Sequence, residues 1–511
     1  MPSLLMAHPT LTLRRSRRRR VAVPLPRAEA GWLQRRPTWF LVLAVTIAGS
    51  TVVGASAPRR PSMAVALAIS VAGGVAVLRR PSLGAYALVG LVPITSGLRR
   101  GFPIPNLRLS EAMVFGIGLT VLAAADRTLL PRWRSVDWLL FAWASSWLAM
   151  GLLNISLLHQ QLTLSSFEVM AGPFQFVLLY RAVVVGLPGP VQRRCALAIL
   201  LWSSVPVSVL ALLQQVRFGP VQRLIANITG GDVFNSYAYH FFARATGPFN
   251  HWTPLAGYLF IILMVGAVLL LEDRSPMARS RLAAILLLAA VGLVLSAELS
   301  AISCAVVGGL ILGARYGRLA NMGRWMFLGA AIIAVTFGSY LGSRLDTQFY
   351  RATGDSRSSL VPQTIQYRTE VWTQQYFPAI AERPLTGWGP DLPSRITWTF
   401  TESQYVTLLM EGGIVVLGTY GGLMWALYRR GADLGRGRGT DRTGRALGRC
   451  LAVCVLLLIP MNAIFPYFSS GGLAEPFWVL AGLTGASLGL SAEADASAEE
   501  TGSATGEPVA A

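Results

Sequence analysis

The sequence predicts an all-α, polytopic transmembrane helical bundle of about 12–14 spans, with a partly helical large external loop. Three observations carry this. Of 511 residues, 53% are hydrophobic and only 13% charged, with mean hydropathy +0.52; soluble domains hold about 25% charged residues. Apolar runs of spanning length recur from residue 38 to residue 490. The formal charge of +20 rests on 44 arginines with no lysine, dealt out in short runs between the apolar blocks. This balance excludes a cytosolic enzyme, a disordered chain and a disulfide scaffold. A nucleic-acid binder is excluded because its charge gathers on one domain.

A hydrocarbon core of about 30 Å takes about 20 helical residues. A basic segment, 1–36, precedes the first run, and its arginines suit anionic headgroups. It is no cleavable signal peptide, since the following run already has spanning length. The N-terminal membrane region, 37–216, holds spans near 38–57, 62–78, 83–98, 109–125, 136–157, 166–186 and 192–216. An external loop, 217–251, follows. The central membrane region, 252–343, holds spans near 252–271, 281–297, 298–314 and 323–343. Its middle run is too long for one crossing and is divided near Ser296–Ser300, where Ser and Glu interrupt it. The large external loop, 344–403, leads to spans near 404–428, 447–466 and 471–490, and residues 491–511 read as a disordered acidic tail. No internal repeat and no paired broken segments of an inverted-repeat transporter are evident.

Positive residues in short loops stay cytoplasmic. Arg14 to Arg20 therefore set the N-terminus inside, and the even-numbered loops, all arginine-rich, fall inside with it. Both termini are therefore expected in the cytoplasm. Arg59-Arg60 and Arg99-Arg100 run against this pattern.

Little conventional chemistry is visible. Cys195, Cys304, Cys450 and Cys454 lie in or beside apolar runs, and four scattered histidines show no HExxH spacing. No metal site and no cofactor is expected. The two external loops stand out, at 35 and 60 residues, because loops this long are functional or disordered. Tyr367, Trp372, Tyr376, Phe377, Trp388 and Trp398 argue against disorder in the second, whose stretch from Gln363 to Ala381 reads as helical and ends by Pro384.

Three segments in these loops form a pattern. Arg244-Ala245-Thr246-Gly247-Pro248-Phe249-Asn250-His251 runs straight into a span. Arg368-Thr369-Glu370-Val371-Trp372 is followed by Pro384-Leu385-Thr386-Gly387-Trp388-Gly389. Glu402-Ser403-Gln404-Tyr405-Val406, with Glu411-Gly412-Gly413, opens the next span. Together they resemble the O-antigen ligase/polymerase family of polytopic membrane glycosyltransferases, which shows R-x-x-G-x-F, R-x-x-x-W with P-L-x-G-x-G, and H-N-x-Y-L with E-x-G in this order. The resemblance covers about residues 200–430.

It implies a metal-independent transferase that polymerises or ligates glycan at the outer face of the cytoplasmic membrane. The donor would be a polyprenyl-diphosphate-linked glycan, and the acceptor a glycan or lipid-linked glycan; membrane lipids are partners and nucleic acid is not. By motif position, Arg244 and Arg368 would clamp the diphosphate, for which arginine offers a planar, permanently charged fork. Glu402 would activate the acceptor hydroxyl, with His251, Glu298, Trp372 and Tyr405 binding substrate. Each has a plainer reading: arginine on lipid phosphate, Glu402 a loop carboxylate favoured beside a helix start, Glu298 a turn at the water interface, His251 and the aromatics interface packing.

Two departures stand out. Glu402 takes the place of the family's histidine, and a carboxylate accepts a proton as well as an imidazole does if ionised and in reach. The join of the ninth and tenth spans reads Ser296-Ala297-Glu298-Leu299-Ser300, without the family's arginine, leaving Glu298 a candidate in its own right. Glu411 lies inside its span and need not share a site with Glu402. A lipid-linked oligosaccharide flippase, or another polysaccharide transporter, is the alternative reading; it would place arginines within the spans, which here are almost free of charge.

Overall fold

A computed structural model describes residues 71–101, 107–125, 131–230, 244–272, 277–349, 362–437 and 441–487. The basic segment, the first expected span, most of the second and the acidic tail lie outside these residues, as do Arg59-Arg60, Arg351 and Arg357. Among the described residues every regular element is helical and none is a strand.

In chain order the helices are α1 (Pro81–Thr95), α2 (Leu109–Ala124, with a π-turn at Val114–Gly118), α3 (Ser135–Leu157), α4 (Leu164–Ala171) and α5 (Phe174–Gly186). Next come α6 (Pro190–Gln215), α7 (Gly219–Thr229), α8 (Trp252–Leu271), α9 (Arg279–Leu295), α10 (Leu299–Arg315) and α11 (Leu319–Phe349). The second large loop supplies α12 (Gln363–Val371) and α13 (Phe377–Glu382), joined by a π-turn at Trp372–Tyr376. The chain continues through α14 (Gln404–Arg436), α15 (Arg442–Ile464), α16 (Tyr467–Ser470) and α17 (Ala474–Ala486).

Each expected span from 83 onward is occupied by one of these helices, the sixth by the pair α4 and α5, bent by 42°. Six of them, α3, α6, α8, α11, α14 and α15, are long and apolar enough to cross a membrane, or seven with the bent pair, by length and composition. The division at Ser296–Ser300 holds: α9 ends at Leu295 and α10 starts at Leu299.

Burial sorts the helices. In α8, 83% of the spanning window is buried, whereas in α11 none is. A helix apolar all round belongs in the centre of a bundle when buried, and against lipid when its apolar surface is left outward. Around α8 pack α9, α10 and α15; α14 lies between α15 and α3, and α17 against α5. Gly431 and Gly448 bring α14 and α15 together so closely that a Cβ on either would stand under 3 Å from the other's backbone.

Much of the charge set among the described helices is paired. Arg181 Nη1 donates to Asp137 at 2.7 Å, with the two side chains 8% and 3% exposed. Arg193, fully buried, donates to the carbonyls of Pro188 and Ala486 and to Asp441, closing the C-terminal end of α17. Arg100, an exception to the charge pattern of the loops, is neutralised by Glu111 and Glu168.

The α14 helix is broken where the sequence predicts one continuous span. Gly413 has φ 64° and ψ −161°. The Pro384-to-Gly389 stretch fills the gap: the Trp388 amide donates to the Met410 carbonyl at 2.6 Å, and the Ile414 amide donates to the Pro384 carbonyl at 2.8 Å. These two bonds replace the Ile414-to-Met410 bond that an unbroken helix would make. A Cβ at Gly413 would lie 2.2 Å from the Leu385 oxygen, and one at Gly387 2.5 Å from that of Met410. Both motif glycines are therefore required by close backbone approach as well as by positive φ.

Candidate functional site

Five separate stretches of chain meet at the end of the bundle where α14 begins. The Arg244–His251 turn is fixed by Gln214 of α6, whose Oε1 accepts from the amides of Thr246 and Gly247 at 2.8 and 3.0 Å. The Ala245 amide donates to the Leu295 carbonyl at the end of α9, which also receives the Tyr340 hydroxyl of α11 at 2.8 Å. Phe249 is fully buried against Gly97 and Tyr258. The R-x-x-G-x-F spacing thus anchors a turn by its phenylalanine and leaves its arginine at the site.

Arg244 is 7% exposed, and its guanidinium stacks on Trp252 at 4.4 Å from the ring centroid. Burial lowers its pKa from the usual guanidinium value; Glu298 and Tyr340 oppose that and Arg368 adds to it. These groups are therefore within electrostatic reach of one another. Glu298 stands at the N-terminal end of α10, and its carboxylate accepts from Ser300 Oγ at 2.9 Å and Thr253 Oγ1 at 3.2 Å. His251 caps α8, its Nδ1 accepting from the Thr253 amide at 3.2 Å, and its ring stacks on Phe465. Burial, helped by Arg244, pushes the imidazole down to about 3. It is neutral at pH 7, and with Nδ1 accepting, its Nε2–H is the donor.

From the second loop, Arg368 of α12 and Trp372, the first residue of the π-turn that continues it, lie four residues apart along one helical run. Arg368 donates through Nε at 2.9 Å to Oε2 of Glu402 and pairs with it through Nη2 at 2.8 Å, with side chains 17% and 19% exposed. The Trp372 indole donates to the carbonyl of Thr401 at 2.8 Å. The R-x-x-x-W spacing therefore grips two consecutive residues, 401 and 402. Tyr376 donates to the Trp398 carbonyl at 2.5 Å, and burial, then Glu402 and Tyr367, push its phenol up to about 12.

Glu402 departs from the expected position at the start of the helix. Ser403 is the N-cap and Glu402 precedes it, with φ 56°. A side chain in this left-handed region costs about 1–3 kcal/mol and persists where surroundings over-determine it. Here they do: Ser403 Oγ donates to the Asn462 carbonyl, Gln404 Oε1 accepts from the Phe468 amide, and Trp372 and Arg368 hold the other side. Among the described residues no hydrogen bond falls on Oε1 of Glu402.

Of the residues singled out in the sequence, the structure brings Arg244, His251, Glu298, Arg368 and Glu402 to one end of the bundle. Trp372 supports the chain next to Glu402. Tyr405 points elsewhere, its hydroxyl donating to the Ile459 carbonyl of α15 at 2.9 Å. Glu411 stands apart at the break in α14, where the Trp147 indole donates to it at 2.9 Å. Residues that sequence reading misses are Gln214, Tyr340 and Tyr467, a fully buried tyrosine within electrostatic reach of Glu298 and Arg368. None carries a local signal, because each acts across more than 30 residues of chain.

No curated protein matches the chain. Residues 253–421 match the family model described as O-antigen ligase. The match takes in Glu298, Arg368, Glu402 and the interlocked glycines, and it begins just after Arg244 and His251. The chain thus has the helices of a multi-pass membrane protein, and residues 253–421, which hold the second and third loop motifs, are similar to the O-antigen ligase family.

Proposed function

We propose that the protein is a metal-independent glycosyltransferase that polymerises or ligates polyprenyl-diphosphate-linked glycan at the outer face of the bacterial cytoplasmic membrane, with both termini cytoplasmic. The observation that carries this reading is the Arg368–Glu402 pair, 2.8 Å apart, with buried Arg244 in electrostatic reach of Arg368. It sets two permanent cations beside a carboxylate at a single end of the bundle.

Transfer is a displacement at the anomeric carbon. The acceptor oxygen forms its bond to that carbon as the bond to the phosphate oxygen breaks, and the electron pair leaves with the polyprenyl diphosphate. Negative charge grows on that leaving group, where fixed guanidinium donors are worth most. Arg244 and Arg368 supply them. Arg368 spends Nε and Nη2 on Glu402, which leaves the Nη1 edge for a phosphate oxygen. Glu402, oriented through Oε2, takes the acceptor proton on Oε1. His251 contributes a neutral N–H donor, which binds a diphosphate oxygen or an acceptor hydroxyl. Inversion at the anomeric carbon is what membership of such a family implies.

The decisive assay uses purified protein in detergent with lipid-linked repeat units. Longer glycan on the lipid, or glycan moved to a second acceptor, supports the transferase. No product in detergent, with movement of the same lipid across proteoliposomes, supports the flippase instead.

A further inference from the structure

The opposite end of the bundle holds a second cluster of arginines that the proposed chemistry does not use. A cleft between α3, α5, α14 and α17 is lined by Arg134, Arg430, Tyr180, Thr484 and Gly485. Arg134 and Arg430 lie within electrostatic reach of each other, and neither forms an ion pair among the described residues. The nearby carboxylates are already engaged. Asp137 accepts from Arg181 at 2.7 Å and from the Arg134 amide at 2.9 Å, while Asp433 faces Arg436. Counting Arg134, Arg181 and Arg430 against Asp137 leaves a surplus of two positive charges around one cleft.

Two like charges converge at a cost unless an anion joins them. Gly485 keeps the cleft open, since a Cβ there would stand 2.7 Å from the Tyr180 hydroxyl. Depth in the membrane points to the anion's source. Aromatics lie beside the cleft's arginines in the chain: exposed Trp133 packs on exposed Trp138 at 4.7 Å next to Arg134, and exposed Trp425 on half-buried Tyr428 at 5.8 Å before Arg430. Arg181 lies over Trp133 and Arg429 over Trp425. Amphipathic rings of this kind mark the headgroup level of a bilayer, and basic pockets between helices at that level bind anionic headgroups.

We propose that this cleft binds the phosphate of an anionic phospholipid headgroup, gripped by Arg134 and Arg430 with the Tyr180 hydroxyl as a further donor. The lipid bridges α3 and α14, and so braces from the far end the helix that positions Glu402.

The test uses the full chain purified in detergent, with phosphatidylglycerol, phosphatidylcholine or inorganic phosphate as probes. Readouts are retained lipid by native mass spectrometry and the thermal unfolding midpoint. Wild-type protein should retain phosphatidylglycerol and unfold at a higher temperature with it. Arg134→Gln and Arg430→Gln should each weaken retention about tenfold, and together by about a hundredfold. Arg436→Gln, at an exposed position, should match wild type. Since neither cleft arginine makes an ion pair, the single variants are expected to fold, and each reads the proposal by itself. Inorganic phosphate reproducing the midpoint shift would assign a free-phosphate site and overturn the lipid; equal retention of phosphatidylcholine, or no change in either single variant, would overturn the site.

Discussion

Arg368 and Glu402 form one ion pair at the proposed site. The partly buried pair keeps the carboxylate oriented and leaves a guanidinium edge open, and the left-handed backbone at Glu402 is held by contacts on both sides. Glu402→Gln keeps the shape and hydrogen-bonding capacity while removing the proposed base. Its turnover should fall by about 10²–10⁴ with the thermal midpoint within a few degrees of wild type; paired turnover and unfolding measurements check this. His251 gives a pH prediction. Its folded pKa of about 3 lies below the ordinary 6.5, so the unfolded chain binds more protons between those values. The stability His251 contributes is fully present above pH 6.5 and is lost as pH falls toward 3. A His251→Gln variant should therefore lose less stability than wild type between pH 7 and pH 5, measured by unfolding midpoints in one detergent.

At the scale of elements, the family motifs turn out to be largely devices for holding a loop. The Pro384-to-Gly389 stretch substitutes for a missing helical turn at Gly413, and Asn154 of α3 clamps it by donating to the Thr386 carbonyl at 2.7 Å. Gly413→Ala would push a Cβ into the Leu385 carbonyl at a positive φ, so it should undock the loop and expose residues 362–403 to protease. Gly418→Ala, in the same helix with nothing within 4 Å, should leave the cleavage pattern unchanged. Spans were legible in the sequence because burial in lipid demands uninterrupted apolar runs, and Trp252–Leu271 appears with the expected ends. Arg244, Arg368 and Glu402 stood out in the sequence because the spacing around them recurs in a known pattern, with Glu402 in the place of its histidine. The break at Gly413 was not, since two glycines in an apolar run read as close packing. Its cause, the backbone of Leu385, lies 28 residues away, and Asn154 lies 232 residues from Thr386.

At the scale of the whole molecule, several arginines set among the described helices are paired: Arg181 with Asp137, Arg193 with Asp441 and Arg100 with Glu111 and Glu168. Removing one partner of a buried pair leaves an uncompensated charge, at about 3–5 kcal/mol. Asp137→Ala should thus lower the unfolding midpoint sharply, whereas Arg181→Met with Asp137→Leu should recover most of the loss. Five chain segments meet only when the bundle is complete, so Arg244, Arg368 and Glu402 share an end through the fold and not through sequence proximity. The central claim is that this end transfers glycan. It is tested most directly by glycan chain length in cells expressing Arg244→Ala, Arg368→Ala or Glu402→Gln protein at wild-type abundance. The account predicts unelongated or untransferred glycan from all three; wild-type polymer from all three would contradict it.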